Sequence, residues 1–141
     1  MPNRFFSPAP MGQNAGLALV RVLTGLFLVY HGWEIFDPAK MNDYGKWMTD
    51  LHFPAPLEMA YAGKGSELVG GILLVLGLFT RVGALLIIIT MGAICFGMGK
   101  GRIFMEDQHP FLFVLLALVF FFTGPGTWSL DHGLFGKKRY T

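Results

Sequence analysis

A single cysteine in 141 residues leaves neither a disulfide framework nor a multi-cysteine zinc site. Charge is scarce too: eleven Lys and Arg and nine Asp and Glu make up 14% of the chain, against roughly a quarter in ordinary soluble domains. A domain this small keeps much of its surface outside the core, so a soluble fold would need more charge to cover it. The net charge of +2 provides no basic stripe for a nucleic acid. No long repeat, low-complexity run or linker divides the chain, which reads as one domain over 1–141. Disorder is excluded by what is present, 53% hydrophobic and 15% aromatic residues with a mean hydropathy of +0.52. Lipid must therefore cover part of this protein.

The apolar residues gather into four blocks, 15–33, 57–79, 82–99 and 110–123. At about 1.5 Å per residue the first three reach about 27 Å or more, close to the roughly 30 Å of a hydrocarbon core. The fourth gives only about 21 Å, so its helix is expected to begin before Pro110, near Glu106 or Asp107, with the proline in the first turn. The reading is all-α, a four-helix transmembrane bundle with spans at about 15–35, 57–79, 82–99 and 107–123. Arg21 inside the first block, with no small-x-small site before Gly32-Trp33-Glu34, argues against a removable signal peptide. The corner Thr80-Arg81 is expected to join two antiparallel neighbours. Between the first two spans, Tyr44, Trp47, Met48 and Leu51 recur at helical spacing, capped by Asn42 or Asp43, which predicts a short amphipathic helix at the membrane surface.

Four spans put both termini on one side. That side holds Arg4, Arg81 and the run Lys137-Lys138-Arg139, whereas Lys40, Lys46, Lys100 and Arg102 lie opposite. The unbroken terminal cluster suits anionic headgroups and favours cytoplasmic termini.

A charge at a span centre costs about 2.5–3.5 kcal/mol on insertion scales, so each one needs a partner. Arg21 lies in the first span, on a line with Gly25, Leu28 and Gly32; Lys64 and Glu67 lie in the second, with Gly63, Gly70 and Gly71 on the same face. Small residues let helices approach, so both faces point inward. Arg21, Glu67 and Lys64 are expected to share charge between the two helices. A buried ion pair that fixes register is one reading. A polar pocket that binds a head group or relays a proton is the other.

At the far end of the first span, His31 and Glu34 are within reach of one another, with Tyr30, Trp33 and Tyr61 at similar depth. His109 and His52 fall on the same side, but none has a partner at ligand spacing on one helix, so no metal or haem is expected. Met91, Cys95 and Met98 form a soft-sulfur stripe that would suit Cu(I) but reads more simply as core.

From residue 16 to 134 the chain resembles the DoxX family of small four-span bacterial membrane proteins. The resemblance is carried by Leu19-Val20-Arg21-Val22-Leu23-Thr24-Gly25, Tyr30-His31-Gly32, Glu67-Leu68-Val69-Gly70-Gly71 running into Leu76-Gly77-Leu78-Phe79-Thr80-Arg81, and Thr123-Gly124-Pro125-Gly126-Thr127-Trp128-Ser129-Leu130-Asp131. It implies the bacterial cytoplasmic (inner) membrane and a link to redox chemistry, since relatives serve as subunits of thiosulfate:quinone oxidoreductase or join complexes that handle thiol and oxidative stress. Glu34 stands near where relatives often carry a Lys, a charge that Lys40 or Lys64 would have to supply. On this resemblance the expected role is membrane subunit of a quinone-linked oxidoreductase or redox-stress complex, with quinone as cofactor in a cleft between the first two spans. His31 or Tyr30 would donate to a carbonyl oxygen, and Glu67 with Arg21 or Lys64 would manage the proton. The sequence names no redox centre, which implies a protein partner. The competing expectation is a non-catalytic scaffold or assembly factor, or a homo-oligomer, held by glycine faces such as Ser66/Gly70 and Ala93/Gly97. A small carrier is a third reading, which four short helices accommodate only on dimerisation.

Overall fold

A computed structural model describes residues 4–136; the basic run Lys137-Lys138-Arg139 lies outside the described residues. After a 3-10 turn at Arg4–Phe6 come six helices: α1 (Gln13–Gly32), α2 (Pro38–Asp50), α3 (Pro56–Leu76), α4 (Thr80–Gly92), α5 (Gln108–Thr123) and α6 (Leu130–Phe135). A 3-10 turn at Trp33–Phe36 extends α1, and a π-helical stretch at Ala93–Met98 extends α4. No strand occurs among the described residues. Gln13–Phe36, Pro56–Leu76 and Thr80–Met98 are long and apolar enough to cross a membrane; α5 is apolar but shorter, with 16 residues.

Small residues set the packing. An added Cβ on Gly25 would strike the Gly71 carbonyl and the Val75 backbone, one on Gly71 would strike the Gly25 carbonyl and the Val29 amide, and one on Gly32 would strike the Leu68 backbone. That register makes α1 and α3 antiparallel with their backbones in contact, as a small-residue face permits. The opposite side of α3 packs on α4, where Gly70 sits against Ile87 and the Gly83 carbonyl. α4 in turn packs on α5, whereas α5 and α1 barely touch. Leu28, Leu74, Ala84, Ile87, Met91, Phe113, Ala117 and Phe120 form the shared core. Met91 is part of this packing, the fully buried Cys95 donates its thiol to the Asp107 carbonyl, and Met98 lies against a second cluster of Met41, Met48 and Ala60, where α2 covers α3.

Two boundaries differ from the sequence reading. The α3–α4 corner is not Thr80-Arg81, because Gly77 ends α3 in the left-handed region (φ 65°) and Thr80 already opens α4; glycine takes that conformation without a Cβ penalty. Helix α2 starts at Pro38 rather than after Asn42 or Asp43, since the Asp37 carboxylate accepts from the Ala39 and Lys40 amides and Pro38 occupies the first turn. Its buried face is accordingly Met41, Gly45 and Met48, while Trp47 and Leu51 are exposed.

Candidate functional site

The buried charges separate into two groups at opposite ends of the α1–α3 pair. Arg21 is 2% exposed, and its guanidinium donates to the carbonyls of Leu74 (2.9 Å), Trp128 (2.8 Å) and Pro125. The 124–131 stretch is thereby drawn onto the helix ends. There the Asp131 carboxylate accepts from the Phe79 (2.7 Å) and Thr80 (2.9 Å) amides at the start of α4, and the Ser129 hydroxyl caps α6 through the His132 amide. This is a clasp, in which each guanidinium nitrogen donates to a backbone carbonyl.

Arg21 therefore does not share charge with Glu67 and Lys64, contrary to expectation. It lies level with Leu74, and the seven residues from Leu74 to Glu67 correspond to about 10 Å along a helix. Its partners are carbonyls distant in sequence, which no side-chain pattern marks.

The second group centres on Lys64, whose side chain is 14% exposed. Its ammonium lies 3.1 Å from Glu34 Oε2 and 3.3 Å from Glu67 Oε2, donates to the His31 carbonyl (3.4 Å), and sits 4.8 Å above the Tyr44 ring. Glu34 also accepts from the Tyr44 hydroxyl (2.6 Å) and pairs with Lys40 (3.4 Å) at the rim. Burial and the Glu34 carboxylate push the Tyr44 phenol above its ordinary value, so it stays protonated and donating at neutral pH. Glu67 is 3% exposed, and Lys64 is its only ion-pair partner among the described residues. Two carboxylates and two ammonium groups balance if all are charged, but Lys40 is 55% exposed, so the enclosed part of the cluster is acid-rich.

A cavity of about 450 Å³ opens beside this cluster, lined by Lys64, Glu67 and Gly63 of α3, Tyr44 and Trp47 of α2, Thr90 and Met91 of α4, and His31 and His109. It is not between α1 and α3, where a cleft was expected. The glycines of those helices close that interface backbone to backbone, and the space lies on the other side of α3, under α2. His31 and His109 face each other across α1 and α5, with ring centroids 5.5 Å apart. Neither imidazole hydrogen-bonds to another described residue. Tyr30 stacks edge-on to His31 but points outward, 75% exposed, and does not line the cavity. Of the five sequence candidates, Lys64, Glu67 and His31 thus converge, and Arg21 and Tyr30 do not. Tyr44 and His109 join the site unforeseen: Tyr44 had been read only as apolar helix face, and His109 meets His31 only through the packing of separate helices. Among the described residues no group of three or more His, Cys, Asp or Glu is placed to hold a metal ion.

Several apolar helices of membrane length joined by short connections define a multi-pass helical membrane protein. The chain belongs to the DoxX family, whose family model, described as DoxX, matches residues 16–99. It is 32% identical over 128 residues to a Haemophilus influenzae protein described as "Uncharacterized protein", covering 86% of this chain and 92% of that protein. It is also 32% identical over 126 residues to the Bacillus subtilis protein named "Putative oxidoreductase CatD", covering 88% of this chain and 91% of that one. No solved structure matches the chain.

Proposed function

We propose that this chain is the membrane subunit of a quinone-linked redox complex of the bacterial cytoplasmic membrane, with the quinone head held in the cavity beneath α2. The observation that carries the reading is the character of that cavity. Its walls are largely apolar, its volume of about 450 Å³ is that of a small-molecule site, and its lining includes a Lys–Glu pair and two imidazoles that hydrogen-bond to no other described residue. The name of the Bacillus subtilis relative supports the redox link.

In this reading the imidazoles of His31 and His109 each offer an N–H to a carbonyl oxygen of the head. Glu67, buried and hydrogen-bonded among the described residues only by Lys64, is the group that holds or passes a proton. Lys64 keeps it oriented and is itself anchored by Glu34 and Tyr44. A bound quinone supplies two-electron acceptor chemistry, and the electrons come from a partner protein. We further propose one membrane domain over 1–141 with α5 as a fourth span, its 16 residues accommodated by local thinning of the bilayer. Helix α2 then lies at the membrane surface over the cavity mouth, and both termini face the cytoplasm.

The test is isolation from native membranes in mild detergent, followed by quinone extraction and titration with a quinone analogue. Co-extracted quinone and saturable binding support the reading. Stoichiometric partners without quinone, and no binding or reduction of the analogue alone or in the complex, overturn it in favour of a scaffold.

A further inference from the structure

Four helices packed side by side have four seams, and here the one between α1 and α5 is the loosest. The α1–α3 and α4–α5 seams are closed by glycine contacts and by the shared core, and the α3–α4 seam is closed around Gly70 and Gly83 and parts at the cavity, while α1 and α5 barely meet. A groove of about 540 Å³ runs along the outer face of α1 beside that seam, lined by Leu23, Leu26, Phe27, Tyr30 and His31 of α1 and by His109 of α5. His31 and His109 also line the cavity beneath α2, so this ring pair is the partition between groove and cavity. From His31 the groove descends α1 to Leu23, eight residues or about 12 Å towards the middle of the span. Its polar end is at the histidines, and its other end is wholly hydrocarbon.

We propose that the α1–α5 seam is a lateral portal, through which the cavity takes its ligand from the bilayer and out of which the ligand's hydrocarbon tail lies in the bound state. The ligand class is accordingly a membrane-dissolved amphiphile with a hydrogen-bond-accepting head and a long apolar tail. The site's polarity matches that orientation, with head donors near one membrane surface and the tail groove running to the core. The argument for the tail is steric rather than attractive. Lipid chains are as apolar as Leu23 and Leu26, so the groove adds little affinity of its own. A head held beneath α2 nevertheless needs a path to the bilayer for its tail, and the loose seam adjoins the cavity at the histidine pair. The inference rests on the proposed function for the head and adds the route and the tail.

The test compares two probes on the purified full-length protein, a tailless dimethoxy-methyl-benzoquinone and the same head bearing a decyl tail. Leu23→Trp and Leu26→Trp fill the groove from positions that are 47% and 51% exposed and carry no packing of the core. Wild type binds both probes, and the tryptophan variants are expected to lose the decyl probe by about tenfold or more, the scale of overpacking a filled site, while keeping the tailless one. Equal retention of both probes by the variants overturns the portal and leaves the head site standing. Failure of wild type to bind either probe overturns the proposed function and the portal with it. Disulfide trapping of Leu26→Cys between two copies in native membranes would show that a second copy fills the seam, and also overturns the portal.

Discussion

Replacing Arg21 by Ala removes three hydrogen bonds at once and leaves the Leu74, Pro125 and Trp128 carbonyls without their donor. Bonds to a charged group contribute about 1.5–3 kcal/mol each, and an orphaned buried acceptor costs about 1–3 kcal/mol. Some of these carbonyls will find water at the helix ends, so the sum is not additive, and the expected loss is about 3–5 kcal/mol. The damage should be local. Freed from the guanidinium, the 124–131 stretch should release α6, while the Lys64–Glu67 cluster, about 10 Å away along α3, keeps its geometry. Unfolding in a denaturing-detergent titration gives the stability change, and limited proteolysis after residue 123 reads the release. Arg21→Lys should recover only part of the loss, because one ammonium cannot match a planar fork. A loss below about 1 kcal/mol would refute the clasp, since it would mean the three bonds count for no more than an ordinary surface contact. So would a loss of quinone binding with the stability intact.

The remaining expectations concern the other elements. Gly71→Ala places a Cβ against the Gly25 carbonyl and Val29 amide and should cost about 1–3 kcal/mol in the same titration, whereas Gly63→Ala meets nothing within 4 Å and should be neutral or slightly stabilising. Asp131→Ala strips the cap from α4 and should cost about 1–2 kcal/mol, with hydrogen exchange rising at the Phe79 and Thr80 amides. Tyr44 should ionise above the ordinary phenol value near 10.0, visible as the difference between ultraviolet titrations of wild type and Tyr44→Phe. Because its folded-state value is raised, the stability it confers is fully present below the unfolded value and is lost as pH rises through the folded one.

The parts legible in the sequence were those written in side-chain periodicity. The glycine faces of Gly25, Gly32 and Gly71 identified which sides of α1 and α3 meet, and the same faces carried Arg21 and Glu67 inward. They did not say that the meeting would be backbone to backbone and so leave no cleft there, since a glycine reads alike whether it admits a ligand or a neighbouring helix. Gly63 admits the cavity and Gly71 a helix, eight residues apart on one element. Arg21 was equally opaque because carbonyl partners at residues 125 and 128 have no identity in a sequence pattern. Helix α2 was misplaced at its start because Lys40 and Asn42 interrupt the apolar spacing, although Asp37-Pro38 is a start signal in its own right. Glu34, read as a neighbour of His31, is instead the carboxylate on which Tyr44, Lys64 and Lys40 converge.

The central claim is that a quinone head sits beneath α2 against His31, His109 and the Lys64–Glu67 pair. Photolabelling of native membranes with a quinone carrying its reactive group on the ring, followed by peptide mapping, tests it directly. The account predicts saturable labelling confined to His31, to residues 59–67, 89–94 and 109–110 and to the cavity face of α2, competed by unlabelled quinone and diminished in Glu67→Gln. Labelling that is not competed, or that falls on the Arg21 clasp and the outer faces of α3 and α4 instead, would contradict it.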